Sequence, residues 1–296
     1  MMKMKTSNKP KTHISQKKDS TSTHEETLTR HTQLLSEGQI EYVRKIKQNQ
    51  ILVHVFQLLI LISFLLLWEV AANNNWINAF IFCSPSKLYE TFLNMMQDGS
   101  LLHHINITLY ETLLGFIIVI FGSLLIAILF WWNETLSKVL EPYLVMLNAL
   151  PKSALAPVLI VWLGANRSTI IVCACSVAIF GSILNIYTGF TNVDNDKLKL
   201  ITTLKGTRLQ ALRLVVLPSN VPNIISIMKV NIGLCLVGVV IGEFLAAKEG
   251  LGYLIIYGSQ TFKMSNVLLS IFILCAIAML LYAILQRIEK KLSEYF

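Results

Sequence analysis

The sequence predicts an all-α, polytopic membrane protein with about six transmembrane helices and its N-terminus in the cytoplasm. Three observations predict it. Of 296 residues, 54% are hydrophobic and only 14% charged, whereas about a quarter of a soluble domain is charged. The apolar residues gather in runs of the ~20 residues that a helix needs to cross a bilayer. Lys and Arg concentrate in alternate connections between those runs, which is the positive-inside pattern.

Taken in order, residues 1–50 are rich in Lys, Ser, Thr, Gln and His and carry no apolar run before Ile51. They are expected to be a disordered, basic, cytosolic tail whose lysines can touch anionic lipid head groups. No apolar stretch follows the basic start closely enough for a secretory signal. Residues 51–72 are the first span. Residues 84–104, "SPSKLYETFLNMMQDGSLLHH", read as a short extracytoplasmic interfacial helix opened by Ser84 or Ser86 and ended by Gly99. Further spans are expected at 112–132, 139–164, 169–190, 224–247 and 266–288. Trp68, Trp131, Trp132 and Trp162 fall near span ends, as interfacial aromatics do.

With the N-terminus inside, the inner side collects the tail, Lys138, Lys197, Lys199, Lys205, Arg208, Arg213, Arg287, Lys290 and Lys291. The outer side keeps Lys87, Arg167, Lys248 and Lys263. The net charge of +8 is therefore topological and calls for no nucleic-acid partner. The five cysteines form no C-x-x-C pair and no zinc spacing, and read as small apolar side chains. His103 and His104 are adjacent on a helix and point in different directions, so no metal site is expected there. The sequons at Asn106, Asn133 and Asn166 are read as chance matches.

The loop 191–221 is the most patterned connection. Asp194, Asn195 and Asp196 suit a helix N-terminus. Lys205 falls in that helix's last turn, and Gly206 fits the left-handed position just past its end. Thr207 and Gln210 have the spacing of a capping box for a second helix, which Pro218 is expected to stop. Arg208 and Arg213 would flank an apolar face of Leu209, Leu212 and Val216. Such a unit either rests on head groups or docks a cytosolic partner, and residue chemistry leaves both open.

Five stretches carry a family resemblance: "SPSKLYETF", "NALPKSALAPVLIVWLG", "NIYTGFTNVDND", "LKGTRLQALRLVVLPSNVP" and "GVVIGEFLAAKEGLGYLI". From about Ser84 to Glu289 the chain resembles the permease (membrane) subunit of bacterial type-I ABC importers, of MetI-like fold. The similarity is to the subgroup serving aliphatic sulfonates, taurine, nitrate and related solutes. The resemblance implies a type-1 transmembrane domain over 105–289 and a coupling loop, 191–221, that enters a groove of a separate ATPase. Gly206, Leu217 and Pro218 match that loop's motif, while Leu200, Ile201 and Thr202 stand where it has Glu-Ala-Ala. With Asp196, Thr207 and Arg208 these are the candidate ATPase-contacting residues. The implied partners are cytoplasmic ABC ATPase subunits, a second permease copy and an extracytoplasmic solute-binding protein.

No G-x-x-x-x-G-K-[ST] loop occurs, so the chain is read as no enzyme, with no cofactor, and as one whose energy comes from another subunit. Lys152 and Glu243 are the candidate pathway or gate residues. An ionised lysine at the bilayer centre costs about 2.5–3.5 kcal/mol. Lys152 therefore either lines the pathway or reaches the inner head groups and supports a kink at Pro151, and the second reading is preferred. Glu243 either shapes an outer gate or pairs with a nearby cation, and pairing is preferred. Gly233, Gly238 and Gly242 suggest close helix packing, and Gly250 with Gly252 a tight turn. The alternative class is a self-sufficient secondary transporter or channel, which would show inverted repeats and intramembrane acids. The substrate itself is not legible.

Overall fold

The computed structural model describes residues 37–74, 76–77 and 82–293. Most of the expected tail, residues 1–36, lies outside them. The chain divides into two units, one ending at Trp68 and one beginning at Glu69. The described part of the first unit is helical from Glu37, so helix α1 (Glu37–Asn73) starts well before Ile51 and crosses the unit boundary. Its apolar part, Val55–Asn73, is long enough to span a membrane.

The second unit is built from helices α2 (Pro85–Gln97), α3 (Ser100–Trp132), α4 (Glu134–Ala149), α5 (Lys152–Leu163), α6 (Arg167–Thr191), α7 (Asn195–Thr203), α8 (Arg208–Ala211), α9 (Leu217–Ala246), α10 (Leu251–Gln260) and α11 (Met264–Ser293). Among the described residues there is no strand. Five helical stretches are long and apolar enough to cross a membrane, or six if the bent pair α4–α5 counts as one span. The fold class expected from the sequence is the one observed.

Two boundaries differ from expectation for physical reasons. The expected third span is not one helix: α4 and α5 meet at 98°. Pro151 lacks an N–H and would clash with the carbonyl four residues back, so the helix ends at Ala149 and restarts at Lys152. The short helix opens after Ser84 and ends before Gly99, which takes φ 73° and turns the chain, but residues 100–104 belong to α3 and not to that helix. The α2 N-terminus is held by Glu69, whose carboxylate accepts from Ser86 N–H (3.1 Å) and Ser86 Oγ (2.6 Å), an anion at the positive end of a helix. Helix α10 was not anticipated.

The core is the seam between α3, α6 and α9. Phe116 and Val119 of α3, Ala178 of α6, Ile232 and Cys235 of α9, and Leu281 and Leu285 of α11 form one cluster. Ala127, Ile186, Phe190, Leu212, Val216 and Ile227 form another nearer the α6–α7 connection. Small residues let the backbones approach: a Cβ on Gly238 would lie 2.6 Å from Ala174 Cα, and one on Gly242 would lie 3.1 Å from Ile170 Cα. Gly233 does not share that role, since a Cβ there would meet nothing within 4 Å. Cys83, Cys173 and Cys235 are buried as expected, while Cys275 is exposed on α11. Two of the sequons have a structural explanation: Asn133 caps α4 by accepting from Leu136 N–H (3.1 Å), and Asn166 caps α6 by accepting from Thr169 N–H (3.0 Å).

Candidate functional site

The connection between α6 and α9 is a shaped two-helix unit. Asp194 caps α7 by accepting from Asp196 N–H at 2.9 Å. The helix then ends in a Schellman motif, with Lys205 N–H donating to Thr202 O (3.0 Å) and Gly206 N–H to Ile201 O (2.8 Å). The left-handed residue is therefore Lys205, at φ 57°, and not Gly206. Gly206 is required by space: a Cβ there would stand 2.6 Å from Ile201 Cγ2 and 3.0 Å from Ile201 O. The Thr207–Gln210 capping box is present in both directions, Gln210 N–H to Thr207 Oγ1 (3.3 Å) and Thr207 N–H to Gln210 Oε1 (2.7 Å).

Pro218 does not stop the second helix. The chain stays helical from Arg208 to Ala246, passing through a π turn at Leu212–Val216 where Leu217 N–H reaches back to Leu212 O. Pro218 follows that turn and sits in the first turn of α9. A proline is tolerated there because the usual i−4 register is already interrupted. Asn220 Nδ2 donates to Val216 O (2.9 Å), supplying a side-chain partner where the ladder shifts.

Arg208 does not project freely. Its guanidinium donates to Trp131 O at 2.9 Å and lies 5.3 Å and 5.9 Å from the Trp131 and Trp132 ring centroids. A cation thus sits on the C-terminal end of α3, where the helix dipole favours it. Asp196 pairs with Lys199 (3.0 Å) on the surface. Ile201 is half-buried, Thr202 back-bonds to Lys199 O (2.7 Å), and Leu200, Leu204 and Leu209 remain 59%, 71% and 48% exposed. The unit is fixed by its caps, and its outer surface sets these leucines among the exposed Lys197, Lys199 and Lys205.

Beside it opens a polar cleft that sequence reasoning missed. A cavity of about 570 Å³ is lined by Asn185, Thr188, Gly189 and Asn192 of α6 and by Ser219, Asn220 and Asn223 of α9, with Asp194 and Lys197 also on its wall. A second pocket, about 140 Å³, shares Asn185 and Ile227 with it and adds Asn148, Ser182, Ser226 and Asn231. The signal was in the sequence: Ser182, Asn185, Thr188 and Asn192 recur at steps of three or four, as do Ser219, Asn223 and Ser226. Each set makes a polar stripe down one face of a spanning helix. Gly189 carries no side chain because the Asn220 and Asn223 amides fill that space.

Lys152 lies at the break between α4 and α5. Its ammonium donates to Leu147 O (2.7 Å) and Asn148 O (2.9 Å) and stands 5.4 Å from the Phe180 ring centroid. It satisfies carbonyls freed by the break. Phe180 is midway along α6, so the partly exposed lysine stands beside the middle of that helix. A second intramembrane cation, Lys229 of α9, was overlooked; it pairs with Glu289 of α11 at 2.7 Å.

Glu243 is fully buried near the opposite end of α9. It pairs with no cation. It accepts from Thr108 Oγ1 (2.7 Å) and Gly252 N–H (2.6 Å), and Thr108 Oγ1 in turn accepts from Leu251 N–H (2.8 Å). The turn at Gly250, φ 107°, folds over this carboxylate, and its N–H donates to His104 Nδ1 (2.9 Å). Gly252 is in α10 because a Cβ would stand 2.7 Å from Glu243 Oε2. The nearby cation, Arg167, instead binds Glu249 at 2.7 Å, and the hydrogen bond from Arg167 holds the Glu249 carboxyl below the usual glutamate range. No cluster of metal-ligating side chains occurs among the described residues.

Comparison with known proteins places this architecture. Residues 118–294 match the family described as "Binding-protein-dependent transport system inner membrane component". The chain belongs to that family and is a multi-pass inner-membrane permease component of an ABC importer. It is 26% identical over 229 residues to the putative aliphatic sulfonates transport permease protein SsuC of Bacillus subtilis (strain 168), covering 77% of this chain and 83% of that protein. It is 25% identical over 237 residues to the formylaminopyrimidine transport permease protein ThiX of Halalkalibacterium halodurans, covering 80% and 94%. Among solved structures, the fold matches an inward-facing MetNI methionine ABC transporter with TM-score 0.59 at 17% identity, over 67% of this chain and 97% of that one. It also matches a bacterial alginate ABC transporter with TM-score 0.57 at 14% identity, over 84% and 99%.

Proposed function

We propose that this permease forms the pathway of an ATP-driven importer for a small solute and takes its motion from a separate ATPase through residues 191–221. The Lys and Arg distribution supports an N-terminus in the cytoplasm, which puts that loop on the ATPase side. The carrying observation is the α7–α8 unit: doubly capped, pinned to α3 by Arg208, and exposing Leu200, Leu204 and Leu209. An apolar patch on a rigid frame is a surface for a protein groove. Two copies of the chain would enclose the pathway, and an extracytoplasmic binding protein would deliver the solute. Relatives named for aliphatic sulfonates and taurine support a small sulfonate as cargo. The chain itself would carry no catalytic residue.

Co-expression with a cognate ABC ATPase tests this reading. Leu204→Asp should abolish co-purification of the ATPase and ATP-dependent uptake while leaving helicity unchanged. Uptake that persists with the ATPase deleted would instead identify a self-sufficient transporter.

A further inference from the structure

The polar pocket between α6 and α9 lies beside the partly exposed Lys152 and holds an amide donor with nothing to bind. Asn231 is 2% exposed, and its Nδ2 has no hydrogen-bond partner. A buried donor left unpaired is costly enough that native proteins rarely keep one without a use. The other walls are Asn148, Ser182, Asn185 and Ser226. Asn148, Asn185 and Ser226 are exposed within membrane-spanning segments, and bare amides do not face hydrocarbon. In the proposed pathway that surface would face water or the solute.

The pocket's chemistry selects its occupant. Its lining contains no Asp, Glu or His, so nothing there would neutralise a cation. Its donors are amide and hydroxyl groups. Ser182 Oγ spends its proton on Ala178 O (2.7 Å) and so offers lone pairs only. The Lys152 ammonium is bound to the backbone of Asn148 and lies over Phe180, next to Gly181 of the pocket wall. Two of its three N–H groups are used on carbonyls, leaving one. A positive charge among neutral donors favours a compact anion that accepts several hydrogen bonds. The volume, about 140 Å³, is roughly ten times the ~10–15 Å³ that one water needs, which suits a small solute and not a polymer.

We propose that Asn148, Asn185, Ser226 and Asn231, with Lys152 beside them, form an intramembrane contact site for the oxoanion group of the transported solute. The inference rests on the reading of the chain as the pathway-forming subunit and assigns that pathway a chemical preference of its own. The anion would enter the pocket between α6 and α9 and leave by the wider cleft at Asn192 and Asn223. Asn231 and Asn185 would donate to its oxygens, and Lys152 would supply the field that holds it.

The test uses the purified full-length chain in nanodiscs and two probes of the same shape, methanesulfonate and its neutral analogue dimethyl sulfone, with binding read by calorimetry. Methanesulfonate should bind at least about ten-fold more tightly than dimethyl sulfone. Lys152→Gln should erase that preference, and Asn185→Asp, which keeps size and adds a negative charge, should weaken methanesulfonate about ten-fold or more. Asn231→Ser, a smaller change that the fold tolerates more readily, should weaken it in the same direction. Equal binding of the two probes, no methanesulfonate binding by the wild type, or an unaffected Asn185→Asp variant would each overturn the site. ATPase co-purification with Asn185→Asp keeps the two proposals separable: it persists if only the anion site is wrong, and its failure with the wild type indicts the coupling loop instead.

Discussion

Near the C-terminal end of α9, the Glu243 carboxyl is met by the Thr108 hydroxyl and the Gly252 N–H, and the Gly250 turn is tied to His104. At the other end of the same helix, Ser219, Asn220 and Asn223 face a cavity of about 570 Å³. The Glu243 end is the closed one: its carboxyl is bound by Thr108 and Gly252, although Glu111 Oε2 is buried beside it without a partner. The α6–α9 cleft is the open one: Asn220 donates to Val216 O, while Asn185 and Asn223 line free space. The asymmetry can be broken from either end.

The largest expected effect is at the closed end. Glu243→Ala would strand the Thr108 hydroxyl and the Gly252 N–H, each worth about 1–3 kcal/mol when left unpaired. The thermal midpoint of the detergent-solubilised protein should fall by several degrees, and trypsin should cleave faster after the already exposed Lys248. A midpoint that does not move would show that the carboxylate holds nothing together. Glu243→Gln, which keeps one acceptor oxygen, should fall between the two.

Next comes the frame of the open end. Gly206→Val forces a side chain into Ile201, and overpacking of this kind costs about 1–3 kcal/mol. The Schellman turn should open, and ATP-dependent uptake should drop about ten-fold or more, since each ~1.4 kcal/mol is a factor of ten in an equilibrium. Gly233→Ala is the matched control, because its Cβ would meet nothing; uptake equal in the two variants would remove the steric account of Gly206.

Arg208→Ala tests how the frame is anchored. It removes a hydrogen bond to Trp131 O and a cation–π contact worth about 0.5–1 kcal/mol at an exposed site. The helix should stay folded while the unit loosens, seen as faster hydrogen exchange at residues 204–211 with uptake reduced only a few-fold. Arg208→Lys should restore little, since a lysine cannot both stack and reach the carbonyl in the same way.

These contrasts also show which parts of the molecule were legible in the sequence. The spans, the capping box at Thr207–Gln210 and the Asp194 cap were readable, because each depends on local periodicity or on side chains within four residues. Gly206 was found, but its reason was misassigned: the left-handed residue is Lys205, and the glycine answers to a contact with Ile201 that only the folded turn reveals. Pro218 reads as a stop in any sequence, and only the π turn before it lets the helix continue. The polar stripes of α6 and α9 were visible at steps of three and four, yet they look like ordinary dilution of an apolar run until the two helices face each other. Partners far apart in the chain, such as Lys229 with Glu289 or Glu243 with Thr108, leave no local trace.

The smallest predicted effect sharpens the closed end by pH. Glu249 is held below the ordinary glutamate range chiefly by its hydrogen bond from Arg167, with smaller help from His103. A carboxyl whose folded-state pKa is depressed stabilises the folded state fully above its unfolded value, about 4.3. That contribution is lost as pH falls through the lower, folded value. Both partners are exposed, so the effect is small and screened by salt. The difference in thermal midpoint between the wild type and Glu249→Gln should therefore be flat from pH 7 to about pH 5 and then shrink. The decisive comparison is salt dependence: the wild-type and Glu249→Gln midpoints should converge at high ionic strength. The Glu243→Ala deficit, which comes from buried hydrogen bonds, should persist there.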